Sequence, residues 1–234
     1  MTRQDPRCVP VSETSVMLYL ADVIDVALAP VIGRISRSIA EACPEVCELT
    51  PSYGSILVQV HSAHVDLDEL AGKLVEISRR CLAVPADGEA AVAGKLIELP
   101  VYYHAEVAPD LEAVAAVSGL NVEEVIAIHS GRDYTVCAIG FAPGFAFLAE
   151  VDERIALPRH ESPRGKVPAG SVGIADRQTA VYPMDTPGGW QLVGRCPLAL
   201  YQPGEQPLSP FEVGDRVRFV PVYRKTYLER GGRV

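Results

Sequence analysis

From Tyr134 to about residue 220, short apolar runs alternate with glycine and proline, and helical spacing is absent. We expect these runs to be β-strands, because Gly and Pro interrupt regular structure and favour the turns between strands. The expected strands are 134–140, 171–175, 178–182, 191–195, 198–201 and 216–220, with a hairpin turn at 175–178. Short, regularly spaced strands are typical of a β-barrel or a sandwich. The charged tail from Tyr223 is expected at the surface.

The N-terminal half alternates strand and helix patterns instead. Its polar first residues, 1–14, are expected to be frayed or edge-like. The first helix is expected from Asp25, with a start nearer Pro30 as the alternative, because proline suits a first helical turn. The second has acidic residues at its start, arginines at its end and leucines along one face, as dipole and packing both prefer. Strands are expected at 15–20, 45–49, 55–60 and 96–103, and helices at 25–42 and 65–81.

In order, these elements read β-α-β-β-α-β, the arrangement of a ferredoxin-like unit. The weakly patterned segment 85–94 follows the second helix, and the element types change after it. We therefore place the domain boundary between residues 85 and 105. The predicted fold class is α+β, with a ferredoxin-like domain at 1–95 and a β-barrel domain at 96–234.

Residues 110–119 and 121–130 read as two short helices. Gly119 suits the end of the first helix, and Asn121 with Glu124 nearly matches the capping box of the second. A helix-turn-helix for DNA is excluded, because the second helix carries glutamates and neither Arg nor Lys to attract phosphate. The pair is expected to be a packing hairpin.

Composition excludes several classes of protein. The 234 residues carry a net charge of −9, which argues against nucleic acid as a partner. The apolar run 16–32 is interrupted by Asp22 and Asp25, so neither a membrane span nor a signal peptide is expected. Six irregularly placed cysteines make no disulfide framework and no zinc pattern, which favours a reducing cytoplasm.

Residues 157–197 hold five Arg or Lys against three Asp or Glu, a local excess of positive charge in this acidic chain. Arginine forks match carboxylates and phosphates bidentately, and Gly-rich backbone offers further N–H donors. We therefore expect a small-anion site here. The alternative is ordinary surface ion pairing of the arginines with Glu161 and Asp185. The candidate residues are Arg159, Arg164, Lys166, Gln178, Thr179, Gly188, Gly189, Trp190 and Arg195.

The segment 140–148 (GFAPGFAFL) contains three of the five phenylalanines. It is either core or a loop at a barrel mouth that lines a pocket or receives a partner, and we favour the loop. Its candidate residues are Phe141, Pro143, Gly144 and Phe145.

Several familiar chemistries are excluded. The near-match to a nucleophile elbow at 169–173 is followed by strand patterns rather than a helix, and every histidine precedes Ser171. No P-loop is present, and His61 with His64 lacks a third metal ligand. Glu106 and Asp110 are candidate bases, but no catalytic residue is assigned.

Three stretches carry a resemblance to a known family: 158–183 (PRHESPRGKVPAGSVGIADRQTAVYP), 186–201 (TPGGWQLVGRCPLALY) and 213–222 (VGDRVRFVPV). With GFAPGFAFL, they resemble the family that holds the B subunit of bacterial 5-oxoprolinase. KipI-type inhibitors of a histidine kinase and the "allophanate hydrolase subunit 1" half of carboxyltransferase domains belong to it too. The chain departs from the family's Tyr-Gly-Gly-Glu at residues 103–106, where His104 and Ala105 replace the glycines, and relatives vary at His160.

The resemblance implies a cyclophilin-like β-barrel and one subunit of an ATP-dependent 5-oxoprolinase. It implies ATP with Mg²⁺ bound by the complex and no metal site in this chain. The implied partners are the carboxyltransferase-like C subunit of that enzyme, its A subunit, which is the third component, and a small-molecule substrate. The chain alone is expected to be inactive. The alternatives are a KipI-type kinase inhibitor and a carboxyltransferase or allophanate-hydrolase-type subunit of a biotin-dependent enzyme.

Overall fold

The structure is a computed structural model that describes residues 5–84 and 94–234. It divides into two compact units, Met1–Gly94 with Glu212–Asp215, and Lys95–Phe211 with Arg216–Val234. Domains that fold independently at 1–95 and 96–234 stay a prediction. Within the described residues, none of the helices combines the length and the apolar character needed to cross a membrane.

The first unit is a four-stranded antiparallel sheet with two helices. Its elements are β1 (Arg7–Ser12), β2 (Ser15–Tyr19), α1 (Ala29–Ala42), β3 (Val46–Pro51), β4 (Ser55–Val60) and α2 (Leu67–Ala83). A proline opens the first turn of α1, and the Asp66 carboxylate caps α2 by accepting from the N–H groups of Asp68 and Glu69. The helix faces that carry Ile35 and Leu74 are fully buried.

The prediction that residues 96–103 complete this first sheet is wrong. The sheet order is β1-β2-β4-β3, so the fourth strand is the N-terminal β1. The sequence signal of β1 is weak because it is an edge strand with five of its six residues exposed, and Pro10 is tolerated only at such an edge. The β-α-β-β-α elements of the predicted unit are present. The fourth strand of their sheet precedes them in the chain instead of following them.

The second unit is a nearly closed barrel with two short helices beside it. The strands of its sheet are β5 (Leu96–Val101), β6 (Asp133–Ile139), β7 (Ala146–Ala149), β9 (Ser171–Ala175), β10 (Gln178–Val181), β12 (Gln191–Arg195) and β13 (Arg216–Pro221). They lie in the order β12-β9-β10-β7-β6-β13-β5. Tyr102 and Arg195 exchange two backbone hydrogen bonds of 2.9 Å between the two edges, so the expected cyclophilin-like barrel is confirmed.

The remaining elements decorate the barrel. A separate two-stranded ribbon pairs β8 (Arg164–Val167) with β11 (Thr186–Gly188). The helices are α3 (Leu111–Ser118), α4 (Val122–Ser130) and α5 (Arg224–Glu229). The predicted helix hairpin is confirmed, because Gly119 ends α3 with φ +67° and the capping box of Asn121 and Glu124 is complete.

The hairpin turn at 175–178 is also confirmed, with Asp176 at φ +50° between β9 and β10. A strand at 198–201 is wrong, since those residues form an irregular loop. The expectation of a surface tail needs one correction: Tyr227 of α5 is buried.

Candidate functional site

Strand β12 sets the positions of the predicted anion-binding residues. Trp190 immediately precedes it, and Arg195 is its last residue. At about 3.3 Å per residue, these two positions lie roughly 16 Å apart. Arg164 donates a hydrogen bond to the carbonyl of Trp190, so it lies at the first end. The structure therefore separates Arg164 and Trp190 from Arg195, which lie at opposite ends of β12.

Arg164 has a counter-ion that the sequence did not reveal. Its Nη2 lies 2.6 Å from Oδ1 of Asp110, a residue only 6% exposed. The other carboxylate oxygen, Oδ2, accepts from the N–H of Leu192 at 2.7 Å. Reasoning from the sequence missed this partner, because Asp110 is 54 residues away along the chain and adjacent in space. The ion pair ties the start of α3 to β8 and β12.

His160 lies beside the same carboxylate. Its Nε2 is 3.4 Å from Oδ1 of Asp110, and this buried nitrogen has no hydrogen-bond partner among the described residues. Its backbone N–H donates to the carbonyl of Gly189 at 2.6 Å. Gly189 is buried against this loop, where a Cβ would meet the carbonyl of His160 at 3.3 Å. The exposed Arg159 precedes His160 and forms no ion pair with the residues that the structure describes.

Five rings form an aromatic cluster at this end of β12: Phe141, Phe145, Phe147, Tyr182 and Trp190. Phe145 is its centre, with ring centroids 5.2 Å from Phe141, 4.9 Å from Phe147, 5.3 Å from Tyr182 and 5.6 Å from Trp190. The geometries are edge-on, which aromatic rings prefer.

The loop 140–148 places one phenylalanine in the core and another at the surface. Phe145 is 1% exposed, whereas Phe141 is 66% exposed and adopts φ +72°. A positive φ is costly for a bulky residue, so the fold holds this exposed ring in place against its local preference. Gly144 is required at φ +80°, since a Cβ there would lie 2.6 Å from the carbonyl of Leu200. Pro143 is exposed beside it.

Thr179 lies inside the barrel rather than at a surface. It is fully buried, and its hydroxyl donates to the carbonyl of Gly173 at 2.9 Å. The hydroxyl must then accept from Nε2 of His129 at 3.0 Å, which leaves Nδ1 to accept from the Tyr103 hydroxyl at 2.8 Å. Burial lowers the pKa of His129 to about 3, so the ring is neutral and the network is satisfied. Its neighbour Gln178 pairs with Ala175 and Ala149 across the sheet.

Lys166 is engaged by a carboxylate as well. It lies 2.8 Å from Asp185, whose other oxygen accepts from the N–H of Ala169. The hydrogen bond from Lys166 is the main cause that lowers the pKa of Asp185. Gly188 pairs with Arg164 in the ribbon and packs against the ring of Tyr182.

Arg195, at the other end of β12, has fewer side-chain partners than Arg164. Its Nη1 donates to the carbonyl of Arg233 at 3.2 Å, and its buried Nε has no partner among the described residues. Arg195 forms no ion pair within 5–84 and 94–234. A guanidinium with donors to spare is a suitable anion ligand, so Arg195 stays an anion candidate.

The two candidate bases differ. Asp110 is committed to Arg164, and Glu106 accepts from the Tyr102 hydroxyl at 2.7 Å and from Nε of Arg224 at 2.9 Å. These bonds, led by the one from Tyr102, lower the pKa of Glu106. Burial is the main cause that raises the pKa of Tyr102 to about 12.

The departure at His104 and Ala105 is tolerated by the backbone. Both residues are exposed, and neither adopts a positive φ that would require glycine. The His104 ring stacks on Tyr102 with centroids 5.4 Å apart and an interplanar angle of 4°. The loss of the two glycines therefore adds an aromatic contact without backbone strain.

The described residues contain neither a serine nucleophile at an elbow nor a cluster of metal ligands. Ser171 is completely buried and begins β9, so it is no nucleophile at an elbow. No three His, Cys, Asp or Glu side chains in 5–84 and 94–234 come together to hold a metal ion.

Known proteins are similar to this chain in sequence and in fold. The family described as carboxyltransferase domain, subdomain C and D, matches residues 6–211. The B subunit of 5-oxoprolinase from Bacillus subtilis (strain 168) is 44% identical over 80% of this chain and 77% of its own. That of Escherichia coli O157:H7 is 38% identical over 93% of this chain and 97% of its own.

Solved structures agree. The conserved uncharacterized protein PH0987 from Pyrococcus horikoshii is 41% identical, with a TM-score of 0.56 over 94% of this chain and 99% of its own. TTHA0988 is 32% identical with a TM-score of 0.74, and this chain spans 40% of its length. Kluyveromyces lactis urea carboxylase, at 16% identity and a TM-score of 0.73 over 99% of this chain and 24% of its own, shares the fold alone. The chain belongs to the carboxyltransferase domain, subdomain C and D, family.

Proposed function

We propose that this chain is a subunit of an ATP-dependent 5-oxoprolinase, which converts 5-oxo-L-proline to L-glutamate. The observation that carries the proposal is the likeness to three proteins that are named as the B subunit of 5-oxoprolinase, at 38%, 42% and 44% identity. The E. coli relative matches over nearly the full length of both chains. The 16% identity to urea carboxylase gives no comparable support for a biotin-dependent activity.

The reaction needs electrostatic help more than a nucleophilic side chain. Transfer of the ATP γ-phosphoryl group to the lactam oxygen activates the ring carbon for attack by water. Cleavage of the C–N bond and release of phosphate then give glutamate. Fixed cations and backbone dipoles stabilise the charge that develops in such steps. This chain offers arginine and an aromatic surface for binding.

The site is incomplete within this chain. Two of its four candidate cations are engaged: Arg164 by Asp110 and Lys166 by Asp185. The sequence contains no P-loop. ATP and Mg²⁺ are therefore bound by the assembled complex rather than by this chain alone. The carboxyltransferase-like C subunit and the A subunit contribute the remaining residues of that site. The complex works in the cytoplasm. The isolated chain has no turnover of its own.

Phe141 is the proposed anchor for a companion subunit. Aromatic anchors dominate binding energy, so a large exposed ring held at a positive φ suits an interface hot spot. Phe141→Asn is expected to weaken binding of the C subunit at least tenfold, which is about 1.4 kcal/mol. The thermal midpoint of the chain should not fall, because Asn tolerates the left-handed backbone better than Phe.

The measurement is calorimetric titration of the chain with the purified C subunit. Tyr223→Asn provides a matched control, because Tyr223 is another exposed aromatic residue and is not part of this loop. Equal affinities for wild type and Phe141→Asn would remove Phe141 from the interface. Steady ATP hydrolysis by the purified chain with 5-oxoproline, in the absence of the other components, would contradict the proposal that the isolated chain is inactive.

A further inference from the structure

A cavity opens at the end of β12 that carries Arg195. Its volume is about 390 Å³, within the range of small-molecule sites. Three segments line it: the turn before β9 (168–170), the loop after β12 (195–199), and the C-terminal residues 231–233 with Tyr227. We call it the tail pocket. Its last wall lies beyond residue 211, where the family match ends.

Two cations line the tail pocket, Arg195 and Arg233, and neither forms an ion pair with the described residues. Asp185 is among its lining residues, but its two oxygens are engaged by Lys166 and by the N–H of Ala169. Arg195 instead spends a single donor, Nη1, on a backbone carbonyl, and its Nε is buried without a partner among the described residues. The other donors of Arg195 form no ion pair with the described residues, so an anion that reaches them from the pocket would bind favourably.

The pocket wall is fixed by a tyrosine. The Tyr227 hydroxyl donates to the carbonyl of Arg233 at 2.7 Å and accepts from its N–H at 3.1 Å. Gly232 packs flat on the Tyr227 ring, where any Cβ would collide with it. On the opposite side, Gly170 at φ +81° allows the backbone to approach Arg195 and Cys196. These contacts hold the tail at a set distance from the guanidinium.

Five apolar residues also line the tail pocket: Pro168, Pro183, Pro197, Leu198 and Ala199. A planar carboxylate matches one guanidinium fork, and an apolar body would suit the prolines.

We propose that the tail pocket binds the carboxylate of a small organic acid through Arg195, separately from the aromatic cluster. Under the proposed function that acid is 5-oxo-L-proline, an identification that rests on the proposed function. Tyr227 is a positioning residue, because it acts through the tail. The two arginines that the sequence places in one cationic stretch then differ in role, with Arg164 in an ion pair and Arg195 open to a ligand.

The test is calorimetric titration of the full chain with 5-oxo-L-proline. Arg195→Met is expected to weaken binding at least tenfold, as loss of a charge-assisted contact predicts. Tyr227→Phe removes only the hydroxyl that anchors the tail, so we expect a smaller loss, several-fold, in a protein with the ring still packed. Arg177→Met is the control, since Arg177 lies in the β9–β10 turn and pairs with Glu150. It should bind like wild type.

Two further probes fix the ligand chemistry. The uncharged amide of 5-oxoproline should not bind, and inorganic phosphate should not displace 5-oxoproline. Equal binding by Arg195→Met, or binding of the amide as tight as that of the acid, would overturn the proposal, as would displacement by phosphate. If binding depends on Arg195 but the assembled complex releases no glutamate, only the proposed function fails. If the complex is active but binding ignores Arg195, only the tail pocket fails.

Discussion

Asp110→Ala is expected to lower the free energy of unfolding by about 3 kcal/mol, the lower end of the range for a broken buried ion pair. The lower end applies because the Arg164 side chain is 30% exposed, so water partly replaces its lost partner. The N–H of Leu192 also loses its buried acceptor. For a chain of this size the thermal midpoint should fall by roughly 6–12 °C. Differential scanning calorimetry measures it.

Glu112→Ala is the matched control. Glu112 lies in the first turn of the same helix but is exposed, so its removal should change the free energy of unfolding by no more than about 0.5 kcal/mol. A double-mutant cycle with Arg164→Met then isolates the ion pair. If Asp110→Ala and Glu112→Ala have the same thermal midpoint, the ion pair does not hold β8 and β12 to α3. If Arg164→Met melts like wild type but abolishes turnover, Arg164 is a ligand contact instead.

Lowering the pH from 7 to 5 is expected to cost about 2 kcal/mol of stability through His129 alone. The pKa of His129 in the folded protein, about 3, lies below its unfolded value, because burial removes the water that would solvate the charged imidazolium. Below about pH 6.5 the unfolded chain takes up a proton that the folded chain refuses. Stability from this residue is therefore complete above that pH and falls by about 1.4 kcal/mol per pH unit down to pH 3.

Urea unfolding at several pH values measures this slope, and His129→Gln is its control. Glutamine stays neutral and can still bond to the Tyr103 and Thr179 hydroxyls, so its slope between pH 7 and 5 should be smaller. The carboxylates with lowered pKa values, such as Glu106 and Asp185, lose their contribution mostly below about pH 4. Equal slopes for both proteins would mean that His129 charges in the folded state.

Elements with strong local patterns could be predicted from the sequence. The helix α2, the β9–β10 hairpin and the capping box at Asn121 each depend on residues a few positions apart. The partners of β1 and β5 could not be predicted, because strand pairing is a long-range property. Strand β5 pairs in parallel with β13, far along the chain, and β1 is an edge strand without clear alternation.

The same limit applies to the candidate site. Composition marked residues 157–197 as cationic, but it gave no sign that Arg164 meets Asp110 or that Thr179 meets His129, 50 residues earlier. The separation of Arg164 from Arg195 follows from one fact, that β12 runs between them as an extended strand. The tail pocket could not be predicted either, because nothing in the charged C-terminal sequence indicates that Tyr227 is buried.

The central claim is that this chain is an essential, non-autonomous subunit of a 5-oxoprolinase. Its most direct test is glutamate release from 5-oxo-L-proline and ATP by purified components, with each component omitted in turn. We predict ATP-dependent release only when this chain and both the C and A subunits are present, and none when this chain is left out. Undiminished release without this chain, or release by this chain alone, would contradict the account.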